Sequence, residues 1–134
     1  AFSLDTRGTP LPLHPLVREE SYLIGREAIV NALRHAGASR IAITIAYNRH
    51  TFDVSIVDDG RGIPQDYLPP NARPNHWGLC GMLERADKMG GRLLIRSGAN
   101  GGTDIHLSVP AQTAYRYRPG WLQRWLRPFN RPRN

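Results

Sequence analysis

Two stretches of the chain alternate strictly between apolar and smaller or polar residues. Ile41, Ile43, Ile45 and Tyr47 form the first set, and after Asn48–His50 the set Phe52, Val54 and Ile56 forms the second. A period of two puts each set on one face of a strand, so the pair predicts a hairpin of two long strands. Arg92–Ser97 and Thr103–Val109 predict a further pair joined by a Gly/Asn turn. Between Leu16 and about Ala36 nothing breaks a helix, and Gly37 stops it; a second helix begins near Gly78, runs through Leu79, Met82, Leu83 and Ala86, and ends at Gly90–Gly91. Pro10, Pro12 and Pro15 leave room only for a short edge strand around Phe2–Thr6. Pro64–Trp77 holds four prolines and no periodicity, which predicts a long loop of the functional or mobile kind. The order β, α, β, β, loop, α, β, β predicts an α+β two-layer sandwich, a mixed but mostly antiparallel sheet with its helices on one face.

Length and charge sharpen this picture. The 134 residues, 40% hydrophobic, suit one core that needs neither disulfides nor a structural metal. Cys80 is the single cysteine and has no internal partner, which suits a reducing compartment. No run of 18 apolar residues and no signal-peptide pattern occurs. The chain starts at Ala1 and reads as a domain cut from something longer. Its net charge of +7 is unevenly spread: residues 1–114 hold 12 basic and 11 acidic groups, whereas residues 115–134 hold six arginines and no acid. The body, 1–111, is therefore read from its motifs, and 112–134 as a basic, aromatic tail. In that tail Trp121, Leu122, Trp125, Leu126 and Phe129 recur at near-helical spacing among arginines, but Pro119, Pro128 and Pro132 limit any helix. An anionic membrane surface and a disordered end are both open, the second being favoured; nucleic-acid contact is not required.

The chemistry concentrates at four places. On a helical wheel Glu27, Asn31, Arg34 and His35 share an arc of roughly 100°, with Ala28, Ile29, Ala32, Leu33 and Ala36 on the other side. A carboxylate and an amide at i, i+4, with two phosphate donors beyond, differ from the mixed Lys/Glu of a solvated stripe; an amide oxygen is a hard ligand suited to Mg²⁺. Asp58 continues the alternation of Phe52, Val54 and Ile56 and so points into the helix layer. There it either joins a backbone turn or accepts a hydrogen bond from a ligand amino group such as adenine N6. Gly60 and Gly62 permit close approach of a flat base. Gly78 and Gly81 stand where the long loop meets the second helix, whose free N–H groups suit phosphate, and Thr103 follows Gly101–Gly102 in a turn.

In order and spacing, "REAIVNALRHA", "VDDGRGIP", "HWGLCGMLERA" and "GGT" resemble the nucleotide boxes of the GHKL ATPase superfamily, and in detail the catalytic domain of sensor histidine kinases of the nitrate-sensor-like subfamily. The resemblance covers roughly residues 12–110. It implies a Bergerat ATP-binding fold that binds ATP and Mg²⁺ and donates the γ-phosphoryl group to a histidine on a separate dimerisation domain, for onward transfer to a response regulator. Asn31 matches the metal ligand, Glu27 the acid that polarises a nucleophile, Arg34 and His35 phosphate-facing positions, and Asp58 the adenine reader. Gly60 and Gly62 match the turn under the base, Gly78, Leu79 and Gly81 the phosphate-side box, Thr103 the threonine near adenine, and Pro64–Trp77 the lid. It further implies a cytoplasmic domain of a dimeric, membrane-associated bacterial sensor. His14, His35, His50, His76 and His106 stand in no acceptor context, so the domain is expected to bind ATP without autophosphorylating alone. A regulatory nucleotide-binding module without kinase activity is the alternative, and the absence of G-x-x-x-x-G-K-[ST] argues against a P-loop.

Overall fold

A computed structural model of the chain describes residues 1–68, 77–97 and 101–116. Strand β1 (Phe2–Arg7) is followed by α1 (Pro15–Arg34), β2 (Ile41–Tyr47), β3 (Thr51–Asp58), a 3₁₀ turn at Gln65–Tyr67, α2 (Leu79–Lys88), β4 (Arg92–Ser97), β5 (Thr103–Pro110) and a single turn, α3 (Ala111–Ala114). The five strands and two long helices follow the order read from periodicity; the 3₁₀ turn at Gln65–Tyr67 and α3 are not in that reading. Pro15 opens α1 where a missing N–H costs nothing, and the prolines before it confine the N-terminal strand to β1.

The five strands form one sheet in the order β1-β2-β3-β5-β4. Only β1 and β2 run parallel; every other pair is antiparallel. Phe52, Val54, Ile56 and Asp58 of β3 all point to the helix layer, and so do Thr103, Ile105, Leu107 and Val109 of β5. That face buries Val17, Ile24, Ala28 and Ala32 of α1 and Leu79, Met82 and Ala86 of α2. Helix α1 lies over β3 and β5, and α2 over β4. Over β1 and β2 a cleft of about 540 Å³ stays open beside α1, lined by Leu4, Ile43, Ile45, Tyr22 and Ile29, and Phe2 and Leu4 are largely exposed.

Two sequence expectations shift. Composition ends the body at 111, yet Ala111, Ala114 and Tyr115 are buried, and the Tyr115 hydroxyl donates to Asn48 O at 2.7 Å. Charge composition registers the arginines that follow and is blind to an aromatic ring filling the end of the core. The helical wheel put Leu33 with the apolar side; it is half exposed, while Asn31 is 6% exposed. The buried stripe of α1 runs Val17, Ser21, Ile24, Ala28, Asn31, Ala32, because docking over β3 and β5 sets which arc is covered. The aromatic stripe at 121–129 and most of the expected lid lie outside the described residues.

Candidate nucleotide site

The C-terminal half of α1 and the end of β3 are joined by a short bridge. Arg61 N–H donates to Ala36 O at 2.9 Å, and the Arg61 guanidinium reaches His35 O at 3.2 Å. Gly60 sits under this bridge: a Cβ there would lie 2.5 Å from Ala36 Cβ and 2.8 Å from Ala36 O. Only glycine lets the turn after β3 close on the helix end.

Asp58 is 9% exposed, flanked in register by Ile41 and Thr103, and accepts one hydrogen bond from Gly60 N–H at 2.8 Å. Burial holds its carboxyl above the ordinary value, and the Asp59 charge adds to this, while amides of Gly60 and Thr103 pull the other way. Asp59, one residue on, faces outward and is satisfied by Ser39 N–H, Ser39 Oγ and Arg40 N–H at 2.6–2.8 Å. Those donors hold it down to about 2. Of two adjacent acids, one is consumed by structure and the other keeps acceptor capacity facing the interior. Gly62 is buried at φ +82°, packed against Ser97 Oγ and Gly102 O, and Ser97 Oγ accepts from Ile63 N–H and donates to Gly102 O. The two glycine turns thus buttress each other beside Thr103.

On the other side of α1, Glu27 and Arg34 line a cavity of about 510 Å³ with Gly78 and Gly81. Gly78 caps α2 at φ +64°, and a Cβ there would collide with the Glu27 carboxyl. Leu79 does not line the cavity: its side chain is 1% exposed in the core, so its backbone amide is what it offers. His35 does not line it either. It caps α1, and its ring stands edge-on against Trp77, centroids 4.8 Å apart.

Sequence reasoning passed over several residues here. Arg26 and Arg85 also line the cavity, making its wall basic. Arg85 is held by Glu20 at 2.7 Å with Lys88 at 3.8 Å, and Glu20 is buried in α1. This pair ties α2 to α1 and fixes the Gly78–Gly81 end against Glu27. The signal available was Glu20 falling four residues before Ile24, on the buried stripe.

Asn31 stands between the two clusters. Its Nδ2 donates to Trp77 O, and its Oδ1 takes no hydrogen bond among the described residues. Those residues hold no group of three His, Cys, Asp or Glu able to cage a metal. Asn31 does not itself line the cavity; it sits one helical turn from Glu27 and from Arg34, which do. One free amide oxygen at that place fits Mg²⁺, which keeps most of its octahedron for phosphate and water, and would not fit Zn²⁺.

The fold is an α+β sandwich whose helix layer carries an amide and a carboxylate, Asn31 and Glu27, with the aspartate Asp58 at an interior strand end. Residues 18–113 match the family model described as Histidine kinase-, DNA gyrase B-, and HSP90-like ATPase, and the chain belongs to that family. It is similar to the nitrate/nitrite sensor protein NarX of Escherichia coli, 34% identical over 91 residues that make up 67% of this chain and 14% of NarX. It is also similar to the sensor histidine kinase YxjM of Bacillus subtilis, 38% identical over 112 residues, 83% of this chain and 26% of that one. Among solved structures, the histidine kinase domain of the blue-light activated kinase EL346 of Erythrobacter litoralis shares the fold. Its TM-score is 0.64 at 23% identity, over 84% of this chain and 56% of that one. The chain is a histidine kinase-type ATPase domain and spans a minor part of the length of the sensor proteins it matches. No helix among the described residues is long and apolar enough to cross a membrane.

Proposed function

We propose that the domain binds ATP with Mg²⁺ and donates the γ-phosphoryl group to a histidine on a separate dimerisation domain, from which a response regulator takes it. The observation that carries this is a single helix serving both clusters. Glu27 and Arg34 of α1 line the basic cavity with Gly78 and Gly81, and Ala36, just past the end of that helix, meets Gly60 beside Asp58. A purine on Asp58 and phosphates in the cavity would span that helix.

In this reading Asp58 accepts from the adenine amino group, with Thr103 and the turn Gly60–Gly62 around the base. Arg34, Arg26 and the amides of Gly78, Leu79 and Gly81 hold phosphate oxygens, and Asn31 Oδ1 is the protein's ligand to Mg²⁺. When bound, Mg²⁺ neutralises phosphate charge and aligns the chain of phosphates. Transfer breaks the bond between the γ-phosphorus and its bridging oxygen and forms one to an imidazole nitrogen of the acceptor. ADP leaves, and Glu27 takes the imidazole proton. Positioning does most of the work, so the acceptor must be delivered to the cavity mouth. The parent protein, on this reading, is a dimeric membrane-associated sensor with this domain in the cytoplasm.

The test has two stages. Calorimetric titration with a non-hydrolysable ATP analogue should show binding that Mg²⁺ tightens. Adding a dimerisation domain of the NarX type with radiolabelled ATP should then give acid-labile, base-stable phosphohistidine. Binding without transfer to any such acceptor favours the regulatory module; no binding removes both readings.

A further inference from the structure

Trp77 is the single non-glycine residue at positive φ among the described residues, at +64°. Side chains with a Cβ rarely hold that conformation without support from their surroundings. Gly78 follows at the same φ, and together they reverse the chain from the loop into α2. Asn31 of α1 and His35, which caps that helix, lie four residues apart and hold Trp77 there. The His35 ring packs edge-on against the indole at an interplanar angle of 63°, and Asn31 Nδ2 donates to the Trp77 carbonyl. The second contact orients the Asn31 amide, because a carbonyl oxygen accepts only from the nitrogen end. Oδ1 is thereby left without a protein partner among the described residues.

We propose that Asn31 is a two-ended connector, offering Oδ1 to the divalent ion while Nδ2 grips the loop junction, and that Trp77 is the positioning residue that fixes this orientation. The proposal rests on the ATP·Mg²⁺ reading above. It explains why an amide stands where a carboxylate would bring more charge to a metal. Aspartate accepts at both ends, so the oxygen turned to Trp77 would face another acceptor with no proton between them. An amide whose oxygen is polarised by a cation also becomes a better donor at nitrogen. Metal uptake therefore strengthens the grip on the left-handed turn at Trp77, and by reciprocity an intact turn strengthens metal uptake.

The test uses the full chain with Trp121→Phe and Trp125→Phe, leaving Trp77 as the sole tryptophan of the three. Mg²⁺ is titrated at saturating non-hydrolysable ATP analogue while Trp77 emission is read. Calorimetry on the chain with all three tryptophans gives the factor by which Mg²⁺ tightens the analogue. Trp77 emission should respond to Mg²⁺ at constant nucleotide, and Asn31→Asp should lose that response even where calorimetry still records metal uptake. Trp77→Ala, which removes the ring and leaves the left-handed residue unsupported, should cut the Mg²⁺-dependent tightening about fivefold or more; Trp77→Phe, which keeps an aromatic ring on His35, should retain it. The proposal is overturned if Mg²⁺ tightens the analogue while Trp77 emission stays unchanged, if Asn31→Asp keeps the response, or if Trp77→Ala retains the full tightening. The Trp77 pair decides alone should Asn31→Asp not fold. An unmodified chain that binds no analogue, with or without Mg²⁺, overturns the ATP-binding reading and this proposal together. Mg²⁺ tightening that is present in the unmodified chain and survives Trp77→Ala overturns this proposal and leaves that reading standing.

Discussion

Strand β3 carries an aspartate near each end, and the two ends are opposite in kind. Asp53, on the outer face, accepts from Thr51 Oγ1 at 2.5 Å and Asn48 Nδ2 at 2.7 Å, and it faces His106 Nε2 at 3.0 Å. Burial alone would raise its carboxyl, but donors from Thr51, His106, Asn48 and Ser108 outweigh that and hold it below the usual value. Asp58, five residues on and on the inner face, has a single short donor in Gly60, and burial keeps it raised. One acid is saturated by its own chain and stabilises the fold. The other is underserved and carries a cost that a ligand donor would relieve. The same residue type on one strand thus separates structure from candidate function by whether its donors outweigh the effect of burial.

Five experiments break or sharpen that contrast. The largest effect is expected from Asp58→Asn, which turns an acceptor site partly into a donor: adenine-nucleotide affinity should fall roughly 10–100-fold, the equivalent of a lost charge-assisted hydrogen bond. Chemical denaturation at pH 7 should show the same variant at least as stable as the parent, since a charge the fold holds at a cost has gone. A stability loss as large as that of an Asp53 variant would erase the distinction between the two ends. Next, Gly60→Ala should destabilise by about 2 kcal/mol and weaken nucleotide binding with it, because the added methyl meets Ala36 Cβ and O. Asp53→Ala should cost about 1–2 kcal/mol by stranding the Thr51 and Asn48 donors, with nucleotide affinity unchanged by calorimetry.

Tyr115→Phe should cost about 1 kcal/mol, read as a shift in denaturation midpoint. The ring is 2% exposed, its hydroxyl donates to Asn48 O and Thr51 O, and burial with the nearby Asp53 pushes its ionisation up to about 12. The smallest effect is the pH dependence, and its sign differs between the ends. Asp53 and Asp59 have lowered values in the folded state, so their stabilisation is full above the ordinary carboxylate value and is lost as pH falls through the folded values, about 2 for Asp59. Asp58 has a raised value, so stability declines as pH climbs from the unfolded value of 3.8 through the folded one. Denaturation of the parent and Asp58→Asn from pH 3 to 7 should give curves that separate across that window, with the variant gaining; parallel curves would show that Asp58 is not held at a cost.

Much of this was legible from spacing. The alternation in 41–47 and 52–56 gave the central hairpin, its continuation to Asp58 turned that acid inward, and glycines at 60, 62, 78, 90 and 91 marked where elements end. Glu27, Arg34, Gly78 and Gly81 do share one cavity, and Asp58, Gly60 and Thr103 one strand end. Other features were not legible because they depend on contacts between distant segments. Spacing puts Glu20 on the buried stripe of α1, but its partner Arg85 is known only once α2 packs against that helix. Leu79 reads as part of a ligand box until packing sends its side chain into the core, and Trp77 reads as loop until it meets Asn31, 46 residues away.

The sequence by itself determined the five strands, the two long helices, their order and the inward turn of Asp58, because periodicity and breakers act through nearest-neighbour geometry. Tertiary structure alone decided which arc of α1 is covered, which acids find donors, and which end of the Asn31 amide is taken. Those outcomes depend on how helices dock on the sheet, and docking sums many weak contacts that no local pattern encodes.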